Sequence, residues 1–77
     1  MTEGTFRKLL EERKRQEAKH PSSTCASDLI PEGDKVAILT EELGEVARAV
    51  LDKDDAQLEK ELIHVAAVAV AWLEVFE

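Results

Sequence analysis

The chain has 77 residues and a formal net charge of −7, the size of one small domain, whose isolated core would hide only about 60 to 65% of its unfolded surface, so a staple or a partner is expected. Cys25 is the lone cysteine, which excludes an intrachain disulfide and a cysteine cluster for zinc and suits a reducing, cytoplasmic setting. The acidity argues against a nucleic-acid backbone as main partner, since that binding needs a basic surface; a phosphorylated small molecule remains admissible where a metal bridges the two anions.

The first ten residues carry Glu3, Arg7 and Lys8 and contain no long apolar run, so they do not read as a signal peptide. The apolar run Val65 to Leu73 is nine residues, far below the roughly 20 that span a bilayer. A soluble protein without a membrane partner is expected.

In chain order, residues 1–20 form an N-terminal helix rich in Leu, Glu, Lys, Arg, Gln and Ala. Its apolar residues Phe6, Leu9 and Leu10 lie in the first half, and the second half, Glu11 to Glu17, is polar all round. That half is expected to project beyond the core, with Arg13, Lys14, Arg15 and Lys19 free to meet phosphate or to pair along the helix, as Glu11 with Arg15. Residues 21–31 change to Pro, Ser, Thr, Cys and Ala and show neither helical nor strand period; they read as a loop, a candidate lid. Cys25 and the adjoining His20 have no partner at metal or triad spacing and read as incidental.

The next helix spans 32–52. Val36, Leu39, Leu43, Val46 and Val50 recur at steps of three and four and form one apolar stripe. Glu42 and Glu45 border it at roughly 80° and 140° from its centre, and Glu41 completes three carboxylates within five residues. Like charges so placed repel unless something neutralises them, and two carboxylates suit Mg²⁺ or Mn²⁺. A solvated acidic flank with no ligand is the plainer alternative.

Asp52 to Asp55 break that helix, and Asp54 with Gln57 has the form of an N-cap with its capping-box partner. The last helix spans 54–76, packed antiparallel to its neighbour because the connection is so short. Leu58, Glu61, Val65, Val68 and Trp72 share a face, so Glu61 stands in line with the core and needs a partner. Beyond Leu62 nearly every side is apolar, more than one chain covers. The expected fold is all-α, a helical bundle of three helices per chain with a central antiparallel hairpin, completed as a homodimer or homotetramer.

Glu42 and Glu45 lie six to nine residues before the turn, and Glu61 and His64 lie six to nine after it. Both pairs therefore stand roughly 10 to 14 Å from the turn, at one height. Three carboxylates and an imidazole are thereby positioned to converge on one metal.

Glu42-Leu43-Gly44-Glu45, fifteen intervening residues, and Glu61-Leu62-Ile63-His64 together resemble the ExxE…ExxD pattern of the MazG-like all-α nucleoside triphosphate pyrophosphohydrolases, a group related to the dimeric dUTPases and phosphoribosyl-ATP pyrophosphohydrolases. Lys35 to Ala47 resembles the core helix of that family and Glu61 to Trp72 its partner helix; Arg15-Gln16 and Lys19 are similar to an N-terminal stretch of some members. The resemblance implies hydrolysis of a (d)NTP to a (d)NMP and pyrophosphate with Mg²⁺, or Mn²⁺, as cofactor. Glu42, Glu45 and Glu61 would bind the metal, with His64 as fourth candidate, and Glu41 would hold or deprotonate the attacking water. Lys35, Lys19 and Gln16 would contact the nucleotide, although Lys35 reads equally as an exposed lysine at a helix start. His64 stands where the pattern has aspartate, and imidazole favours Mn²⁺, Co²⁺ or Zn²⁺ over Mg²⁺. A helical oligomer that binds nucleotide or a partner without turnover is the second reading.

Overall fold

The computed structural model describes all 77 residues, and its first helix begins where a hydroxyl caps it. Thr2 is extended and its Oγ1 accepts from the Thr5 amide at 3.2 Å, so α1 runs Glu3–Lys19. The His20 amide closes it on the Gln16 carbonyl. Pro31 precedes α2, Glu32–Leu51, and its carbonyl accepts from the Asp34 and Lys35 amides. No side chain caps this end; Glu32 and Asp34 in the first turn favour it through the helix dipole.

Three residues end α2 and start α3, Asp55–Leu73. The Lys53 amide bonds to the Val50 carbonyl and the Asp54 amide to the Ala49 carbonyl, both at 3.1 Å, with Lys53 itself at φ 53°. This is a Schellman closure with lysine in the left-handed position usually given to glycine. Asp54 then caps α3, its Oδ1 accepting from the Gln57 amide at 3.0 Å. The expected return half of a capping box does not form, because the Gln57 amide group donates instead to Glu61. A short 3₁₀ turn, Glu74–Phe76, continues α3.

The fold is all-α, with α3 as the central rod: α2 packs on one side of it, α1 on another, and α1 and α2 do not pack on each other. The core is small. Cys25 from the interhelical loop wedges against Val68 and Ala71, with Ala26, Ile38, Leu39 and Trp72 around it. The loop is therefore partly a core element, and Cys25 is not incidental but a buried apolar plug.

Two expectations about helix faces are corrected. The stripe Val36, Leu43 and Val50 does not enter the chain's own core; these side chains are 52%, 58% and 55% exposed. The buried residues of α2 are Lys35 and Ala49, with Ile38, Leu39, Glu42 and Val46 half-buried. The inward face is thus displaced from the apolar stripe, because α3 and the loop cover the side that carries the acids. The second half of α1 also does not project freely. Glu12 is buried, and Arg13 bonds to Gln16, Glu17 and Glu74, pinning α1 to the end of α3. Arg15 pairs with Glu12, and not with Glu11. No helix is long and apolar enough to cross a membrane.

Candidate metal centre

α3 carries Glu61 and His64 one turn apart, on the side where α2 brings Glu42. One ligand atom from each of Glu42, Glu61 and His64 lies within 4.8 Å of the other two. Nδ1 of His64 is 3.5 Å from Glu61 Oε2 and 3.7 Å from Glu42 Oε2. Glu61 is 3% exposed; Gln57 holds its Oε1, whereas Oε2 of Glu61 and Oε2 of Glu42 are buried without a hydrogen-bond partner. Two unsatisfied carboxylate oxygens facing one imidazole nitrogen are costly in a metal-free protein and are what a cation would satisfy.

Glu12 of α1 reaches the same imidazole from the opposite side, its Oε2 being 3.8 Å from Nε2. Arg15 grips Glu12 with two bonds, Nε to Oε1 at 2.8 Å and Nη2 to Oε2 at 2.7 Å. Gln16 adds a third at 3.3 Å. The Arg15 bonds hold the Glu12 carboxyl below its ordinary value, helped by the charges of His64 and Arg15 itself against the opposing effect of burial. Burial pushes Glu42 up, and the charges of Glu61, Glu41 and Glu12 add to this against the opposing pull of His64. Glu45 is pushed up as well, first by its closeness to the Glu61 carboxylate and then by the charges of Glu61 and Glu42.

The structure brings together Glu42, Glu61 and His64 and leaves the other expected site residues in different positions. Glu45 is exposed beside Glu61, outside the tight cluster. Glu41 is exposed and acts on its neighbours through charge alone. Gln16 and Lys19 line a cavity of about 370 Å³ that also reaches Glu42 and His64, a position consistent with contact to a bound molecule. Lys35 is neither exposed nor in that cavity: it is 1% exposed, close enough to Cys25 for its charge to act on the thiol, and the cavity lining does not include it. A buried Lys35 outside the cavity is not placed to meet a phosphate there, against the expected contact.

Glu12, and the pairing of Arg15 with Glu12 and of Gln57 with Glu61, escape a sequence reading. Each of these residues is one of many polar ones at helical spacing; Glu12 with Arg15 and Gln57 with Glu61 have the right intervals, but so do the other charged pairs of α1. Comparison with family models, curated proteins and solved structures finds no match to this chain.

Proposed function

We propose that the protein is a metal-dependent nucleoside triphosphate pyrophosphohydrolase of MazG-like type, cleaving a (d)NTP to a (d)NMP and pyrophosphate. The observation that carries this reading is the meeting of Glu42, Glu61 and His64 within 4.8 Å across two helices, at the positions where the resemblance locates metal ligands. The donor set fits a divalent cation, since two carboxylates balance its charge and two of their oxygens lack other partners. When bound, such an ion neutralises phosphate charge at the reacting phosphorus.

The chain's own groups have defined tasks in this reaction. Water adds to the α-phosphorus, pyrophosphate leaves with the bonding electron pair, and a carboxylate takes the water's proton. Of the two exposed acids beside the cluster, Glu41 is the one that the resemblance gives to the attacking water, and its carboxylate takes the proton. Arg15 and Lys19 line both cavities that flank His64 and offer cations to the outer phosphates; Gln16 orients Glu12.

The same proposal includes a homo-oligomer. The chain exposes 5528 Å², whereas a folded monomer of its mass exposes roughly 4,700 Å². The excess is about 800 Å², one partner's share of a standard interface. Val36, Leu43 and Val50, at seven-residue intervals and each more than half exposed, form a seam for a second copy.

Incubation of the oligomer with a panel of (d)NTPs under Mg²⁺ or Mn²⁺ tests the enzyme. Pyrophosphate release that is lost in Glu42→Gln at unchanged melting temperature supports it, and no release from any nucleotide refutes it. His64 in the aspartate position favours the second reading, a nucleotide-binding oligomer without turnover. Calorimetric binding of a non-hydrolysable triphosphate in the absence of hydrolysis would establish that reading instead.

A further inference from the structure

The imidazole of His64 has a carboxylate on each side, and the two sides differ. Nδ1 faces the orphaned oxygens of Glu42 and Glu61 at 3.7 and 3.5 Å. Nε2 faces Glu12, whose carboxylate is fixed by Arg15 and Gln16 and is 3.8 Å away. A ring that binds a metal through one nitrogen ordinarily donates its other N–H to a carboxylate or carbonyl, which sets the tautomer and strengthens the ligand.

We propose that this centre selects a transition-metal dication such as Zn²⁺, Co²⁺ or Mn²⁺ over Mg²⁺, bound by His64 Nδ1 with Glu42 and Glu61, and that Glu12 is the positioning residue holding the ring as its Nε2–H tautomer. The inference deepens the metal site of the proposed hydrolase and rests on that site, not on turnover.

Several features agree. Glu61 is nine-tenths buried with an oxygen that nothing in the protein satisfies, so the centre is aimed at a ligand and is not merely an acidic patch. Donor atoms on a tetrahedral ion with bonds of about 2.1 Å lie roughly 3.4 Å apart; the imidazole to carboxylate separations of 3.5 and 3.7 Å are close to that edge, and the Glu42 and Glu61 oxygens, within 4.8 Å of each other, would draw together on binding. Octahedral Mg²⁺ has edges of roughly 3 Å and takes oxygen in preference to nitrogen. Three protein donors also leave one position free, the arrangement of a reactive rather than a purely structural zinc site. Arg15 holds Glu12 in place with its two bonds, so the ring meets a fixed carboxylate and loses little freedom on binding.

The test uses the full chain and metal alone. Zn²⁺, Co²⁺ and Mg²⁺ are titrated by calorimetry without nucleotide, and the visible absorption of Co²⁺ is followed in the same samples. One Co²⁺ or Zn²⁺ per chain is expected, and His64→Asp is expected to shrink the Zn²⁺ over Mg²⁺ preference at least 10-fold. Glu12→Gln is expected to weaken Co²⁺ binding roughly 10- to 100-fold and to shift its spectrum, with circular dichroism unchanged; Glu12→Asp is expected to restore part of the affinity. An unchanged metal preference in His64→Asp overturns the ligand assignment, as does loss of Co²⁺ binding in His20→Ala, which would place the ion at the loop. Unchanged Co²⁺ affinity and spectrum in Glu12→Gln overturn the role of Glu12. Failure of pyrophosphate release leaves these measurements standing, and Mg²⁺-supported turnover without Zn²⁺ preference sinks this inference while sparing the hydrolase.

Discussion

Replacing Glu61 by glutamine is expected to make the metal-free protein more stable. The Glu42 and Glu61 oxygens lie within 4.8 Å of each other, where two full charges repel by about 1 kcal/mol in a water-like medium and about 3.5 kcal/mol at an effective dielectric of 20. Glu61 is nearly dry and Glu42 half-buried, so the effective repulsion falls between these limits. Against it stands the weakening of the bond from Gln57 to Glu61 when its acceptor loses charge, about 1 kcal/mol. The net gain is about 1 to 2 kcal/mol, a rise of roughly 5 to 15 °C in Tm for a domain of this size. Thermal unfolding by circular dichroism in chelator, at fixed protein concentration because association shifts Tm, measures it. The wild type is expected to regain stability on adding Zn²⁺ or Mn²⁺, about 2.7 kcal/mol at a hundredfold excess over Kd, and the variant is not. A variant less stable than wild type in chelator would show that Glu61 is a satisfied structural acid, and the reasoning from orphaned oxygens would fail.

Lys53→Gly relieves a left-handed lysine and is expected to stabilise the hairpin by about 1 kcal/mol, read from urea midpoints at unchanged m-value. Metal-free stability is expected to rise as pH falls from neutral: Glu42 and Glu45 have raised native values, so the native state binds more protons than the unfolded chain between those values and the ordinary glutamate range. Below that range the trend reverses, since the depressed Glu12 gives up its stabilisation as pH drops through its native value; urea titrations across the carboxylate range, repeated in His64→Asn to remove the imidazole's contribution, check both limbs. Leu43→Lys, in the middle of the exposed seam, is expected to shift the sedimentation coefficient to that of a monomer without loss of helix content, and an unchanged coefficient would move the interface elsewhere. Arg13→Ala removes the bond that joins α1 to Glu74 and the one to Glu17 within α1 from a largely buried guanidinium and is expected to cost about 1 to 3 kcal/mol, measured by thermal unfolding.

The helices, their order, the break at Asp52 to Asp54 and the approach of Glu42 to Glu61 and His64 were all legible in the chain itself. These follow from local rules: caps, helical period, and a connection so short that residues equidistant from it meet at one height. The three-dimensional packing alone decided which side of each helix turned inward. Periodicity marked Val36, Leu43 and Val50 as the burying face of α2, yet the chain buries Lys35 and Ala49 and half-buries Glu42 and leaves those three outside, because a period identifies an apolar face without identifying what covers it. The same holds for Glu12. In an all-polar half-helix no pattern distinguishes one acid from its neighbours, and only the docking of α1 against α3 buries this one beside His64. Local sequence determines elements because their hydrogen bonds are local; the partners of a buried charge are chosen by contacts between residues far apart in the chain, which only the folded arrangement specifies.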